Sequence, residues 1–117
     1  MTWEDENGWK KTDYPNVKKG QWYVYLLICS DNSLYCGITN DLRKRMSTHA
    51  QGKGAKYTRG RLPVQLIYTE KVKSKSAALK REFQIKALPR RQKCNLIKEW
   101  PDMLIKTKEN MRFDDAE

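Results

Sequence analysis

The chain is poor in the residues that build covalent or metal-organised scaffolds. It has three cysteines, Cys29, Cys36 and Cys94, an odd number without a Cys-x-x-Cys spacing, and one histidine, His49. That excludes a disulfide framework and a structural zinc site as organising devices. The cysteines read instead as small buried hydrophobes in a reduced setting. Long apolar runs are missing too. No stretch reaches membrane-spanning length, and the N-terminus lacks the apolar core of a signal peptide, so the expectation is a cytoplasmic protein without a membrane partner. Acids are scarce in the middle of the chain. Between Cys36 and Lys98 only Asp41, Glu70 and Glu82 stand against 17 lysines and arginines, whereas the first twenty residues are balanced and Glu99 to Glu117 are net acidic.

What is present is therefore a strongly basic middle in a chain of 117 residues with a net charge of +10. The length suits one domain with one modest core. A basic block of this kind is the footprint of a phosphate backbone, here DNA with RNA left open; solubility alone and adhesion to anionic membrane are the plainer readings. No protein partner can be inferred. Residues 1–20 are polar and aperiodic, with Trp3 and Trp9 as the large apolar groups, and read as a flexible arm. The domain is expected over 21–100, followed by an acidic tail over 101–117.

Gln21 to Cys29 is aromatic and β-branched, a buried strand. Ser30-Asp31-Asn32-Ser33 is a turn cluster, and Leu34 to Thr39 a second strand, so the two form a hairpin. Asn40 or Asp41 can cap a helix running to about Ala50. Gln51 to Arg61, rich in Gly and Lys, reads as a loop, and Pro63 to Lys71 as a third strand. Ser74 or Ser76 can cap a helix that ends at Leu88 before Pro89, which itself opens a last helix reaching about Trp100. The order β-β-α-β-α-α predicts an α/β (α+β) fold, a small three-stranded antiparallel sheet flanked by helices.

Glu82 stands out chemically. Helical geometry sets it within an apolar arc, with Leu79, Phe83, Lys86 and Ala87 to one side and Ala78 and Ile85 to the other. A carboxylate there needs a partner. Either it pairs with Lys86 at i+4 or with Lys75, or it holds Mg²⁺ or Mn²⁺, hard cations that can take one protein carboxylate together with water and phosphate. Arg45 and His49 share a face of the first helix, whose core side Leu42 and Met46 should mark. A guanidinium can hold a phosphate through paired hydrogen bonds and stabilise developing charge. His49 is by default a polar surface group, and alternatively a proton shuttle. Arg43 and Lys44 point elsewhere, as diffuse backbone contacts. Tyr25 and Tyr35 on the paired strands are either a packed pair or phenols that reach the site. Gly37 removes side-chain bulk where a backbone or phosphate must come close.

In this order and spacing the residues resemble the GIY-YIG nuclease family. Tyr23-Val24-Tyr25 stands for the first motif, with tyrosine in place of its first glycine, and Tyr35-Cys36-Gly37 for the second, with cysteine in place of isoleucine. Arg45, eight residues after Gly37, matches the family arginine; His49 follows four residues later, and Glu82 matches the metal-binding glutamate. Gly54-Ala55-Lys56-Tyr57-Thr58-Arg59 and Pro63-Val64 are similar to the small stand-alone bacterial members. The distal asparagine of many members has Asn95 as its candidate, with Glu99-Trp100-Pro101 where an asparagine-proline pair often stands. The resemblance implies a metal-dependent DNA endonuclease, either structure-selective, as in repair or recombination, or only weakly selective. Tyr25, Tyr35, Arg45, His49 and Glu82 would be catalytic, Glu82 would be the metal ligand, and Gly37, Arg43, Lys56, Tyr57, Arg59 and Arg61 would contact nucleic acid, with Tyr57 able to stack on a base. A binding module without turnover and a basic adaptor for an acidic protein are the competing readings.

Overall fold

The computed structural model describes residues 19–99; the expected N-terminal arm, Trp100 and the acidic tail lie outside that range. β1 (Trp22–Ile28), β2 (Leu34–Thr39), α1 (Leu42–Ala50), α2 (Lys56–Arg59), β3 (Gln65–Val72), α3 (Lys75–Ala87) and α4 (Arg90–Lys98) follow in order. The expected class therefore stands, an α+β domain on a three-stranded antiparallel sheet, with β1 in the centre of the order β2-β1-β3. One correction concerns the segment from Gln51 to Arg61: it contains the one-turn helix α2. The third strand also starts later than expected, at Gln65.

β1 carries no charged side chain and is buried on both faces, which is why it takes the centre. Its alternation splits the core in two. Tyr23, Tyr25 and Leu27 face Leu42 and Met46 of α1, while Val24 and Leu26 face Ala78 and Ile85 of α3 and Ile97 of α4. The hairpin between β1 and β2 closes where the Cys29 N–H donates to the Ser33 carbonyl and the Asn32 N–H to the Cys29 carbonyl, and Asn32 takes a positive φ of 68°, a conformation asparagine tolerates. Of the alternative caps, Asp41 accepts from the Lys44 N–H at 3.3 Å and Ser74 from the Ala77 N–H at 3.1 Å. All three cysteines are free thiols and buried.

α3 departs from the expected apolar arc. Leu79 is 48% exposed and Phe83 77% exposed, and the helix lays Ala78 and Ile85 on the sheet instead. Periodicity made the arc wide; the sheet covers only a narrow strip of it. Glu82 lies between Ala78 and Ile85 along that strip, its side chain 20% exposed.

Candidate active site

The site grows from the pairing of β1 with β2. Tyr25 lies opposite Gly37 in that register. The phenol crosses over the glycine so closely that a Cβ there would stand 2.5 Å from the Tyr25 oxygen. The glycine is thus needed for an aromatic ring of the protein itself, beside whatever a ligand requires.

α1 brings Arg45 and His49 to the same phenol. The Nε–H of Arg45 donates to the Tyr25 oxygen at 3.3 Å, and the Tyr25 hydroxyl and His49 Nε2 are 2.8 Å apart. On the far side of the imidazole, Nδ1 meets Thr58 Oγ1 at 3.0 Å, and the Thr58 hydroxyl donates to the Ala55 carbonyl at 3.0 Å. His49 is fully buried, which corrects its default reading as a surface group: Leu42, Met46 and His49 together form the inward face of α1. Burial, and after it the neighbouring Arg45 cation, push the imidazole down to about 4. Tyr25 is also fully enclosed; desolvation raises its pKa strongly, against the Arg45 hydrogen bond and charge that lower it. For Arg45, burial pulls downward, but the hydrogen bond to Tyr25 and the phenols of Tyr25 and Tyr35 raise the guanidinium further into its charged range.

Tyr35 covers this cluster from the partly exposed edge strand. Its ring meets the His49 ring edge-on at 5.5 Å and lies 6.4 Å from the Tyr25 ring. Tyr57 stacks on Tyr35 at 6.1 Å, and the Arg61 guanidinium lies 4.0 Å over the Tyr57 ring. Arg61 also donates to Asp31 at 3.0 Å and to the Tyr57 carbonyl at 2.7 Å, and Arg59 donates to the Gly54 carbonyl at 3.2 Å. Tyr57 is thus in contact with both Tyr35 and Arg61 while 40% of it stays exposed.

A cleft of about 300 Å³ opens beside Tyr35, lined by Leu26, Leu34, Tyr35, Cys36, Tyr57, Lys86 and Lys93. Lys86 links it to Glu82, whose carboxylate it approaches at 3.6 Å, the i+4 pairing anticipated from helical spacing. Glu82 is also felt by Cys36 on β2: burial first, and the Glu82 charge next, push that thiol up to about 12. Among the described residues no three of His, Cys, Asp and Glu converge on one point. The residue offered to a divalent ion beside the cleft is Glu82, a partly buried carboxylate held by an exposed ammonium. That composition fits a hydrated hard cation that draws its other ligands from phosphate and water. Of the remaining candidates, Arg43 is half-buried on α1, Lys56 is exposed on α2, and Asn95 is exposed on α4. Gly54 and Thr58, which complete the surroundings of His49, had no distinct signal beyond a glycine in a segment that starts a helix turn.

Tyr25, Tyr35, Arg45 and His49 form one cluster on the α1 side of a small α+β domain, and Glu82 with Lys86 lies on α3, which packs against the other face of the sheet. Residues 21–95 match the GIY-YIG catalytic domain model, and the chain belongs to that family, a family of nucleases of which it resembles the small stand-alone bacterial type. It is 52% identical over 77 residues to a UPF0213 protein of Staphylococcus haemolyticus, spanning 66% of this chain and 94% of the relative. It is 52% identical over 75 residues to a UPF0213 protein of Natronomonas pharaonis, spanning 64% of this chain and 88% of that one. A solution NMR structure of an E. faecalis protein is 42% identical with a TM-score of 0.50, covering 69% of this chain and 86% of the other.

Proposed function

We propose that this protein is a metal-dependent endonuclease that hydrolyses DNA phosphodiester bonds, acting on structured DNA of the kind met in repair or recombination. The observation that carries the reading is Arg45: a charged side chain anchored at Nε by the buried Tyr25 oxygen and flanked by Tyr35, on the domain whose middle is densely basic. With Nε committed to Tyr25, the two terminal nitrogens are those available to a phosphate, and they would stabilise the charge that builds on it during cleavage.

Exposure separates the two tyrosines. Tyr25 is shut away from solvent and its hydroxyl is engaged by Arg45 and His49, so it holds Arg45 in place. Tyr35 is partly exposed beside the cleft, so it is the phenol whose hydroxyl can orient the attacking water. Glu82 would hold Mg²⁺ or Mn²⁺ against the substrate phosphate, with Lys86 giving up its pairing. A bound divalent ion would supply Lewis-acid polarisation of the phosphate. Lys56, Lys86 and Lys93 would contribute attraction to the backbone without sequence preference.

The test is magnesium-dependent nicking on a panel of linear and branched DNAs. Arg45→Ala and Glu82→Ala should each abolish nicking, while circular dichroism and thermal melting stay close to those of the parent. Nicking at the parental rate in both variants would overturn the assignment. Salt-sensitive DNA binding without metal-dependent cleavage by the parent would make the protein a binding module.

A further inference from the structure

The hydrogen bonds around His49 run in one direction, and this follows from their two ends. At one end the Nε–H of Arg45 can only donate, and it donates to the Tyr25 oxygen. At the other the Ala55 carbonyl can only accept, and it receives the Thr58 hydroxyl proton. Between them lie two contacts whose polarity depends on the imidazole tautomer, Tyr25 to Nε2 at 2.8 Å and Thr58 to Nδ1 at 3.0 Å. If Nδ1 carries the proton, it donates to Thr58 and the Tyr25 hydroxyl donates to Nε2. Every polar hydrogen in the chain then has an acceptor. If Nε2 carries it, the Tyr25 oxygen receives two donors and its own proton, fully buried, has no acceptor in these contacts, while Thr58 must choose between Nδ1 and Ala55. Buried donors left unpaired cost about 1–3 kcal/mol each, so the first arrangement holds.

Space restricts the ring as tightly as hydrogen bonding does. Gly54 is buried against the imidazole, and a Cβ at that position would collide with His49 Nδ1 and the carbons beside it. Gly54 and Thr58 flank the start of α2, so one short segment both clears room for the ring and sets its proton.

We infer that Gly54 and Thr58 are positioning residues: they lock His49 as the Nδ1–H tautomer, which makes Tyr25 a donor to Nε2 and turns its oxygen lone pair to Arg45. The inference rests on the proposed role of Arg45 for its functional half, and on the hydrogen-bond geometry alone for its tautomeric half. Thr58 thereby acts on the phosphate-directed arginine through the buried side chains of His49 and Tyr25, with no contact of its own to substrate.

The experiment is long-range ¹H–¹⁵N correlation NMR of the imidazole at pH 7. His49 is the sole histidine in the sequence, so its signals need no assignment. The parent should show a protonated, pyrrole-type Nδ1 and a bare, pyridine-type Nε2. The opposite pattern, or an even mixture, would overturn the inference whether or not the protein cuts DNA. Thr58→Val should lose the clean Nδ1–H pattern and Thr58→Ser should keep it. In the nicking assay Thr58→Val should fall roughly tenfold or more, a loss of the size seen when outer-shell partners are removed from other sites. A retained Nδ1–H pattern in Thr58→Val, or parental nicking by a variant whose tautomer has changed, would overturn the positioning role. Gly54→Ala provides an independent check, with displaced ring resonances expected and unchanged ones contradicting the steric half.

Discussion

His49 enters the fold as a neutral base, and its titration should be visible in stability. The group has an ordinary value of 6.5 and is lowered to about 4 in the folded protein. Between those two values the unfolded chain binds the proton and the folded one does not, so stability rises with pH through that window and is flat from this group above it. The slope can reach about 1.4 kcal/mol per pH unit. Urea unfolding should thus give a lower stability at pH 5 than at pH 7, by up to about 2 kcal/mol from this residue. In His49→Gln that pH-dependent part should vanish, even though the variant is less stable throughout because Tyr25 and Thr58 lose their partner. An unchanged pH dependence in His49→Gln would contradict the assignment. Little of this was legible in the sequence. The four-residue spacing from Arg45 put both side chains on one helix face, but the burial of the imidazole depends on Gly54, Thr58 and Tyr35 arriving from elsewhere in the chain. The positions of Arg45 on α1 and of Glu82 on α3 were legible because a spacing and a helix register locate them without knowledge of what packs around.

At the scale of elements, α3 shows where periodicity stops being informative. Ala78, Glu82 and Ile85 line its inner strip, and Leu79 and Phe83, although apolar and correctly spaced for a buried arc, stay in solvent. A moderately apolar helix face can be read from spacing; how much of it a three-stranded sheet covers cannot. Ile85→Ala should therefore cost about 2–5 kcal/mol, the range for emptying a buried aliphatic site. Phe83→Ser should stay within about 0.5 kcal/mol of the parent, as an exposed position does. Denaturant melts of the two variants check both numbers. The hairpin was legible in the aromatic and β-branched run of 21–29 and the turn residues that follow it. α2 was not, since a single turn within a Gly- and Lys-rich stretch carries no period, and its existence depends on Thr58 finding His49 and on the Ala55 carbonyl accepting from Thr58 and Arg59.

For the molecule as a whole, the excess of cations should govern association. If lysines and arginines of the middle region neutralise several phosphates together, log K for DNA falls linearly with log salt, by about 0.9 for each phosphate engaged. A slope of magnitude above about three is expected, with Lys56→Ala and Lys93→Ala each reducing it by about one unit and leaving sequence preference unchanged. A slope near zero would contradict a phosphate-directed surface. The basic character was legible from composition, but its availability was not. Arg61 and Arg59 are drawn back onto Asp31, Tyr57 and Gly54, so two of the cations on the expected loop serve to brace the protein itself. The described residues also include no helix long and apolar enough to cross a membrane.

The placement of Tyr25 on the central strand divides labour between the fixed and the adaptable parts of the site. Its ring belongs to the same core as Tyr23, Leu27 and Met46, and its hydroxyl is the hinge point of Arg45. If the proposed DNA substrate is bent, nicked or branched, adjustment to it would come from the rim, from Tyr35, Lys86, Lys93 and the Tyr57–Arg61 stack. Diversification of substrate choice among related chains would accordingly be written in those rim positions, while the anchor beneath them admits almost no change.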